Sequence, residues 1–135
     1  MKLLSIILFI FIAPLAINAE VKEIDNLELE KLISKGVVII DIRRKEEWLQ
    51  TGIVEGSQLS TFFDKNGKAN VKNWLSDLAT LVEKSDPIIL ICRTGRRTGL
   101  VAKFLDEKIG YNNIYNVTKG ITKWIKDDNP VVIPK

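Results

Sequence analysis

Residues 88–98 read IILICRTGRRT, and this stretch decides the fold prediction. Its first four residues form an uninterrupted aliphatic run, which is typical of a strand covered on both faces. The Asp86-Pro87 pair ends the preceding helical pattern, and a new amphipathic helical pattern follows the arginines. Cys92 therefore lies where a buried strand turns into a helix N-terminus.

Strands and helices alternate on both sides of this unit. A second aliphatic run, Val37 to Ile40, predicts another buried strand, and Asp41 and Arg43 follow it directly. Shorter strands are expected at 21–24, 58–62 and 114–117, and helices at 26–35, around 46–48, at 71–81, between the Cys92 turn and Gly110, and at 120–126. The alternation predicts a three-layer α/β fold with a mainly parallel central sheet flanked by helices. Ligands of such sheets bind beyond the carboxyl ends of the strands, where Cys92, Asp41 and Arg43 fall.

The composition narrows the possible chemistry. The chain has 135 residues, enough for one domain with a real core, and a formal net charge of +3. A charge of this size gives no reason to expect nucleic-acid binding. The chain contains one cysteine and no histidine, which excludes Ser-His and Cys-His catalysis and argues against a transition-metal centre. We therefore expect no metal and no cofactor.

The N-terminal leader, residues 1–19, has the features of an export signal. Lys2 supplies a short basic n-region, Leu3 to Ile17 is almost wholly apolar, and Ala19 closes a plausible cleavage site. Pro14 and the polar Asn18 make this segment a poor membrane span, although retention as an uncleaved anchor is the alternative. We expect cleavage after Ala19, a mature domain over 20–135 without a stable membrane span, and a periplasmic or secreted location.

The turn after Cys92 favours a thiolate and an incoming anion. The first N–H groups of a helix have no intrahelical partners, and together with the helix dipole they attract negative charge. Arg93, Arg96 and Arg97 add cations whose planar fork matches tetrahedral oxyanions, and Gly95 lets the backbone approach a ligand closely. The alternative is an inert, buried cysteine, which three arginines at a helix start argue against because cations are unfavourable there without an anion.

Other residues receive supporting roles. Asp41 and Arg43 are expected to hold neighbouring loops together as an ion pair. Trp124 is expected to pack in the domain and to form a wall of the pocket. The helix at 26–35 is expected to bury an apolar stripe, which consists of Leu27, Leu29, Leu32 and Ile33.

Several motifs follow one another along the chain. They are VIIDIR at 38–43 with EEW at 46–48, the segment 52–57, the turn from Cys92 to Thr98, and IYNV at 114–117 with Gly120, Ile121 and Trp124. In this order they resemble the rhodanese-like single-domain sulfurtransferases. The resemblance implies that Cys92 accepts a sulfane sulfur as a persulfide from a thiosulfate-like donor and passes it to cyanide or a thiol.

The same resemblance assigns roles within a six-residue loop that runs from Cys92 to Arg97. The loop amides stabilise the thiolate and the persulfide, and they belong to Arg93, Thr94, Gly95, Arg96 and Arg97. Arg97 closes the loop, while Arg93 and Arg96 face the donor.

The chain departs from the family pattern in two places. Gly52 to Ser57 lacks the histidine that family members often carry there, but that histidine is not the sulfur carrier. Lys119 replaces the first glycine of a familiar Gly-Gly pair, which stiffens the turn or adds a cation near the pocket. The Lys119 substitution is the departure that bears most on which sulfur donor the protein prefers.

Three other functions stay open at this point. The related phosphatase branch places its arginine one residue later, at the position of Thr98, so phosphatase or arsenate reductase activity is a weaker alternative. A catalytically silent module that binds a partner is another, although such a module is expected to lose the cysteine. The third is a redox or persulfide relay that needs the thiol of a partner protein.

The leader gives a direct prediction. Protein recovered from the exported fraction of an expressing cell should begin at Glu20, because the apolar segment ends in a signal-peptidase site. N-terminal sequencing and intact mass check this. A membrane-bound protein that still begins at Met1 would instead establish the uncleaved anchor.

Overall fold

A computed structural model describes residues 10–13 and 20–135, so most of the predicted leader and its cleavage site lie outside the described residues. Its β-strands are β1 (Lys22–Ile24), β2 (Val38–Asp41), β3 (Gln58–Leu59), β4 (Ile88–Ile91) and β5 (Ile114–Val117). Its α-helices are α1 (Asn26–Ser34), α2 (Lys45–Thr51), α3 (Val71–Leu81), α4 (Arg96–Phe104) and α5 (Gly120–Lys126). Over the described ranges no helix has the length and apolar character needed to cross a membrane.

The five strands form one sheet in the order β1-β5-β4-β2-β3, and every neighbouring pair is parallel. The two aliphatic strands predicted from the sequence, β2 and β4, are neighbours near the middle of this sheet. Their register pairs Asp41 with Ile91, so both strands end at the same level. The predicted three-layer parallel α/β fold is confirmed, and the chain leaves the same edge of the sheet at Ile42-Arg43 and at Cys92.

Side chains of β4 alternate between two cores, as the period-two geometry of a strand requires. Ile88 and Leu90 pack with residues of α3 and α4, whereas Ile89 and Ile91 pack with residues of α1 and α5. All four are fully buried, which explains why the run is aliphatic throughout. A helical layer therefore covers each face of the strand that leads into Cys92.

Two details of the helices differ from the prediction. Asp25 caps α1 by accepting a hydrogen bond from the Glu28 backbone N–H, but Leu27 points outward and is 59% exposed instead of joining the buried stripe. The helix predicted to reach Gly110 is α-helical only to Phe104 and continues as a π-helical turn, Leu105–Ile109. Its apolar spacing does not distinguish the two forms, because a single π turn shifts the helical period only locally.

The loop after β4 lies directly against the loop after β5, backbone to backbone. A Cβ atom built on Gly95 would lie 2.1 Å from the Thr118 carbonyl oxygen, and one built on Gly120 would lie 2.3 Å from the Arg93 carbonyl oxygen. Both glycines have positive φ, at 89° and 60°. No other residue fits either position, because a side chain would overlap backbone atoms of the opposite loop.

This contact predicts the cost of a single methyl group. Gly120→Ala should lower the free energy of unfolding by more than about 3 kcal/mol, since it combines a left-handed backbone with overlap against fixed carbonyl atoms. Gly36→Ala is the matched control: Gly36 also has positive φ, at 78°, but nothing lies within 4 Å of its added Cβ. The control should lose only about 1–2 kcal/mol. Urea denaturation measures both, and equal losses would contradict the close approach of the two loops.

Candidate active site

Cys92 lies at the first position after β4 and is 1% exposed. The Gly95 backbone N–H donates a hydrogen bond to its Sγ atom at 3.2 Å, and the Thr98 hydroxyl lies 3.3 Å from the same atom. Gly95 is the N-cap residue of α4, so the loop curls around the sulfur and enters the helix. The sulfur thus lies at a helix N-terminus and receives a backbone donor, an environment that favours negative charge on it.

The first turn of α5 fixes the orientation of this loop. The Ile121 N–H donates to the Cys92 carbonyl at 2.9 Å, and the Thr122 N–H donates to the Arg93 carbonyl at 3.1 Å. Both carbonyl groups therefore point toward α5. The opposite side of the loop is left to present N–H groups, which are the donors that an anion needs.

Arg97 closes the loop through an ion pair with Glu47 of α2. Its two terminal nitrogens donate to the two carboxylate oxygens at 2.8 and 2.6 Å, and the Arg44 N–H donates to Glu47 Oε2 at 3.0 Å. Burial opposes ionisation of Glu47, but these hydrogen bonds outweigh it and lower its pKa from 4.5 to about 2. The hydrogen bonds to Glu47 likewise raise the pKa of Arg97. The guanidinium of Arg97 is thus committed to α2 and joins that helix to the cysteine loop.

Asp41 and Arg43 form the expected ion pair, and both side chains are fully buried. Arg43 donates to both Asp41 carboxylate oxygens and also to the Thr51 hydroxyl and the Gly52 carbonyl. Every partner of this guanidinium therefore lies at the end of β2 or at the end of α2. A buried pair is tolerated when its remaining hydrogen-bonding atoms are satisfied in this way, and here it fixes α2 against the sheet.

A cleft of about 710 Å³ opens above the cysteine loop. The loop lines it with Arg93, Thr94, Arg96 and Arg97, and the facing wall includes Phe63 and Lys65. Arg93 and Arg96 are exposed, and among the described residues neither forms an ion pair. The cleft is consequently cationic, and the two unpaired arginines are available for an anion.

Trp124 does not line this cleft. It is 4% exposed and packs in the core between the sheet and the helices α1 and α5, where its indole N–H donates to the Pro130 carbonyl. Its role as a packing residue stands, but the expectation that it walls the pocket is wrong. The sequence pattern shows that Trp124 is on the buried face of α5, but not how far that face extends toward the cysteine loop.

The structure also brings in residues that the sequence prediction did not place at the site. Glu47 pairs with Arg97, and Asn116 of β5 accepts a hydrogen bond from the Thr98 hydroxyl at 2.5 Å. The one sequence signal for Asn116 was that it is a polar residue inside a short, largely apolar strand. In the structure its side chain is buried, with 3% exposed. Among the described residues, no three acidic or cysteine side chains are grouped to hold a metal ion.

Comparison with known proteins agrees with this geometry. The family model for the rhodanese-like domain matches residues 25–127. The chain belongs to the rhodanese-like domain family. A rhodanese domain-containing protein of Drosophila melanogaster is 33% identical over 98 residues, which is 68% of this chain and 85% of that protein.

Solved structures show that other rhodanese-like proteins share the fold. A rhodanese-related protein from Thermoplasma volcanium aligns with a TM-score of 0.63 at 24% identity, over 84% of this chain and 99% of that one. The polysulfide-sulfur transferase homodimer of Wolinella succinogenes aligns with a TM-score of 0.64 at 22% identity, over 85% of this chain and 80% of that one. These likenesses concern the backbone, so the chemistry of the rhodanese-like site rests on its own residues.

The Glu47–Arg97 pair predicts how stability depends on pH. Because the pKa of Glu47 is about 2 in the folded protein and 4.5 unperturbed, its contribution is complete above about pH 4.5 and is lost as the pH falls toward 2. Glu47→Gln should therefore destabilise the protein at pH 5 more than at pH 3. Urea denaturation at both pH values measures the difference.

Arg97→Met supplies the control for this pair. In that background the carboxylate has lost its guanidinium partner, so Glu47→Gln should have a much smaller pH-dependent effect. If Glu47→Gln changed stability equally at both pH values with Arg97 present, the ion pair would not be the cause.

Proposed function

We propose that this rhodanese-like protein is a sulfurtransferase that carries a sulfane sulfur on Cys92 from a thiosulfate-like donor to a thiophilic acceptor. The observation that carries the proposal is the hydrogen bond from the Gly95 N–H to Cys92 Sγ, within a six-residue loop at the N-terminus of α4. A thiolate and a terminal persulfide both carry negative charge, so one set of donors serves both states. No metal and no cofactor is needed for this chemistry.

In the first half-reaction the Cys92 thiolate attacks the outer sulfur of thiosulfate. A new S–S bond forms, the S–S bond of the donor breaks, and its electron pair leaves with sulfite. The developing charge on the leaving oxyanion needs cations, and the unpaired Arg93 and Arg96 at the cleft provide them. Because Cys92 is only 1% exposed, only a small terminal group reaches the sulfur.

In the second half-reaction a nucleophile takes the outer sulfur from the persulfide. Cyanide attacks that atom, its S–S bond to Cys92 breaks, and thiocyanate leaves while the Cys92 thiolate is restored. A thiolate acceptor reacts in the same way and becomes a persulfide. The donors around Sγ stabilise the thiolate that leaves in this step, so the loop acts in both halves of the cycle.

The main alternative enzymatic function is phosphatase or arsenate reductase activity. That branch needs a longer loop, with an arginine where this chain has Thr98. Thr98 is fully buried and hydrogen-bonded to Asn116, so it offers no cation to a phosphate. Arg97 comes one residue earlier and is occupied by Glu47, which favours sulfur transfer over phosphate chemistry.

Two further parts of the proposal concern the setting of the reaction. The leader pattern supports an exported, periplasmic or secreted enzyme. A partner-dependent persulfide relay is the second candidate, and the cleft of about 710 Å³, which is large for thiosulfate alone, is the observation that favours it.

The first test is direct. Wild-type protein should form thiocyanate from thiosulfate and cyanide, and Cys92→Ser should not. Incubation with thiosulfate alone should raise the intact mass by one sulfur atom, about 32 Da, on Cys92. Equal thiocyanate rates in both proteins would refute the enzymatic proposal, and a persulfide that forms without turnover would favour the relay.

Variants of the arginines test how the donor is bound. Arg96→Met should raise KM for thiosulfate by roughly 10- to 100-fold, the size of a lost charge-assisted hydrogen bond. Lys103→Met is the matched control, because Lys103 is an exposed cation further along α4 that does not line the cleft. Its KM should equal that of wild type.

Hydrolysis of p-nitrophenyl phosphate that depends on Cys92 would favour the phosphatase alternative.

A further inference from the structure

A chain of polar side chains leads from the cysteine to the edge of the sheet. Thr98 lies 3.3 Å from Cys92 Sγ and donates to Asn116 Oδ1 at 2.5 Å. The Asn116 amide nitrogen donates to both carboxylate oxygens of Glu23 at 3.1 and 3.0 Å. Thr98 and Asn116 are buried, whereas Glu23 belongs to the edge strand β1 and is exposed. This series of hydrogen-bonded side chains therefore connects a solvent-facing carboxylate to the buried sulfur.

Glu23 determines which end of the Asn116 amide faces Thr98. The nitrogen end lies against three acceptors, the two oxygens of Glu23 and the Gly95 carbonyl at 3.3 Å. Rotating the amide by half a turn would place its oxygen against these three oxygens, which is repulsive. The Thr118 hydroxyl donates to the same carboxylate at 2.8 Å and holds it in place. The amide oxygen of Asn116 must therefore point toward Thr98.

The amide oxygen in turn fixes the single proton of the Thr98 hydroxyl. An amide oxygen only accepts, so Thr98 donates its proton to Asn116 in the shortest of its contacts. The lone pairs of the hydroxyl are left to face Cys92 Sγ at 3.3 Å. In that arrangement Thr98 can accept a hydrogen bond from a Cys92 S–H group, but it has no proton to offer a thiolate.

We infer that Glu23 is a positioning residue that, through Asn116 and Thr98, holds Cys92 in the resting protein as a thiol that donates to Thr98. The Gly95 N–H and the helix N-terminus favour the thiolate. The hydrogen-bonded series of Thr98, Asn116 and Glu23 favours the thiol and therefore opposes them. The significance of this opposition for sulfur transfer rests on the proposed function. Glu23 would restrain the nucleophile until the Thr98 hydroxyl turns toward the sulfur.

Losing the carboxylate releases the restraint. Without Glu23 two of the three acceptors that hold the amide nitrogen are gone, so the Asn116 amide can rotate and present its nitrogen to Thr98. The Thr98 proton is then shared between the sulfur and the Gly95 carbonyl, which lies 3.3 Å from the hydroxyl oxygen. Other charged groups surround the loop and are unchanged by this substitution. They are Arg93 and Arg96 on the loop, the Arg97–Glu47 and Asp41–Arg43 pairs, and Lys119 before α5.

The experiment measures the ionisation of Cys92 directly, by the ultraviolet absorbance of the thiolate relative to Cys92→Ser and by the rate of alkylation with iodoacetamide. Glu23→Ala, or Glu23→Val, which suits an edge strand, should raise the alkylation rate at pH 6 by about 3- to 10-fold. At pH 10 the rates of the variants and of wild type should be equal, because the restraint acts only through the proton on the sulfur. Lys22→Ala on the same strand should match wild type.

Thr98→Val separates the hydrogen-bond chain from a simple effect of charge. In that background the hydroxyl is absent, so Glu23→Ala should no longer change the alkylation rate at pH 6. A persistent effect would mean that the charge of Glu23 acts through space, and the inference would be wrong. A higher rate at pH 10 as well would mean that the substitution loosens the loop, and would also overturn it.

These measurements need no sulfur donor. If thiosulfate fails to load Cys92 while the alkylation results hold, the proposed function fails and the role of Glu23 stands. If thiosulfate loads Cys92 but Glu23→Ala alters nothing, the reverse is true.

Discussion

The site depends on the contact between two backbone segments, the loop after β4 and the loop before α5. The N–H groups of Ile121 and Thr122 hold the carbonyls of Cys92 and Arg93, and this contact is possible only because Gly95 and Gly120 have no side chains there. Turning the carbonyls toward α5 leaves the N–H side of the loop for the sulfur and its ligands. An arginine-rich loop without this support would be free to satisfy its amides with water instead.

Two ion pairs join α2 to this loop and to the sheet, and they differ in what they contribute. Asp41–Arg43 is fully buried and ties the end of β2 to the end of α2. Glu47–Arg97 is partly exposed and ties α2 to α4. Arg97 is therefore paired, and among the described residues the cleft-lining cations without an ion pair are Arg93, Arg96 and Lys65. Of the three loop arginines in the sequence, the structure thus uses Arg97 as an anchor and leaves Arg93 and Arg96 exposed.

The environment of the sulfur is a balance between opposing hydrogen bonds. The Gly95 N–H favours the ionised sulfur, while the direction imposed on Thr98 by Asn116 and Glu23 favours the protonated one. Such a balance suits a group that must be nucleophilic in one step and a leaving group in another. Through Asn116 and Thr98, the exposed side chain of Glu23 influences the buried sulfur. Glu23 does not line the cleft, so its charge does not lie beside the ligand.

The sequence by itself determined the parallel α/β fold and the position of Cys92 at the carboxyl end of a central strand, because both follow from local patterns. The aliphatic runs at 37–40 and 88–91 require two covered faces, and the turn at 92–98 requires a helix start. Only the tertiary structure decided that Arg97 pairs with Glu47, that Trp124 packs away from the cleft, and that Glu23 connects to Thr98 through Asn116. These contacts join residues from different elements that are as many as 93 positions apart, and spacing along one element carries no information about the direction of a side chain toward another.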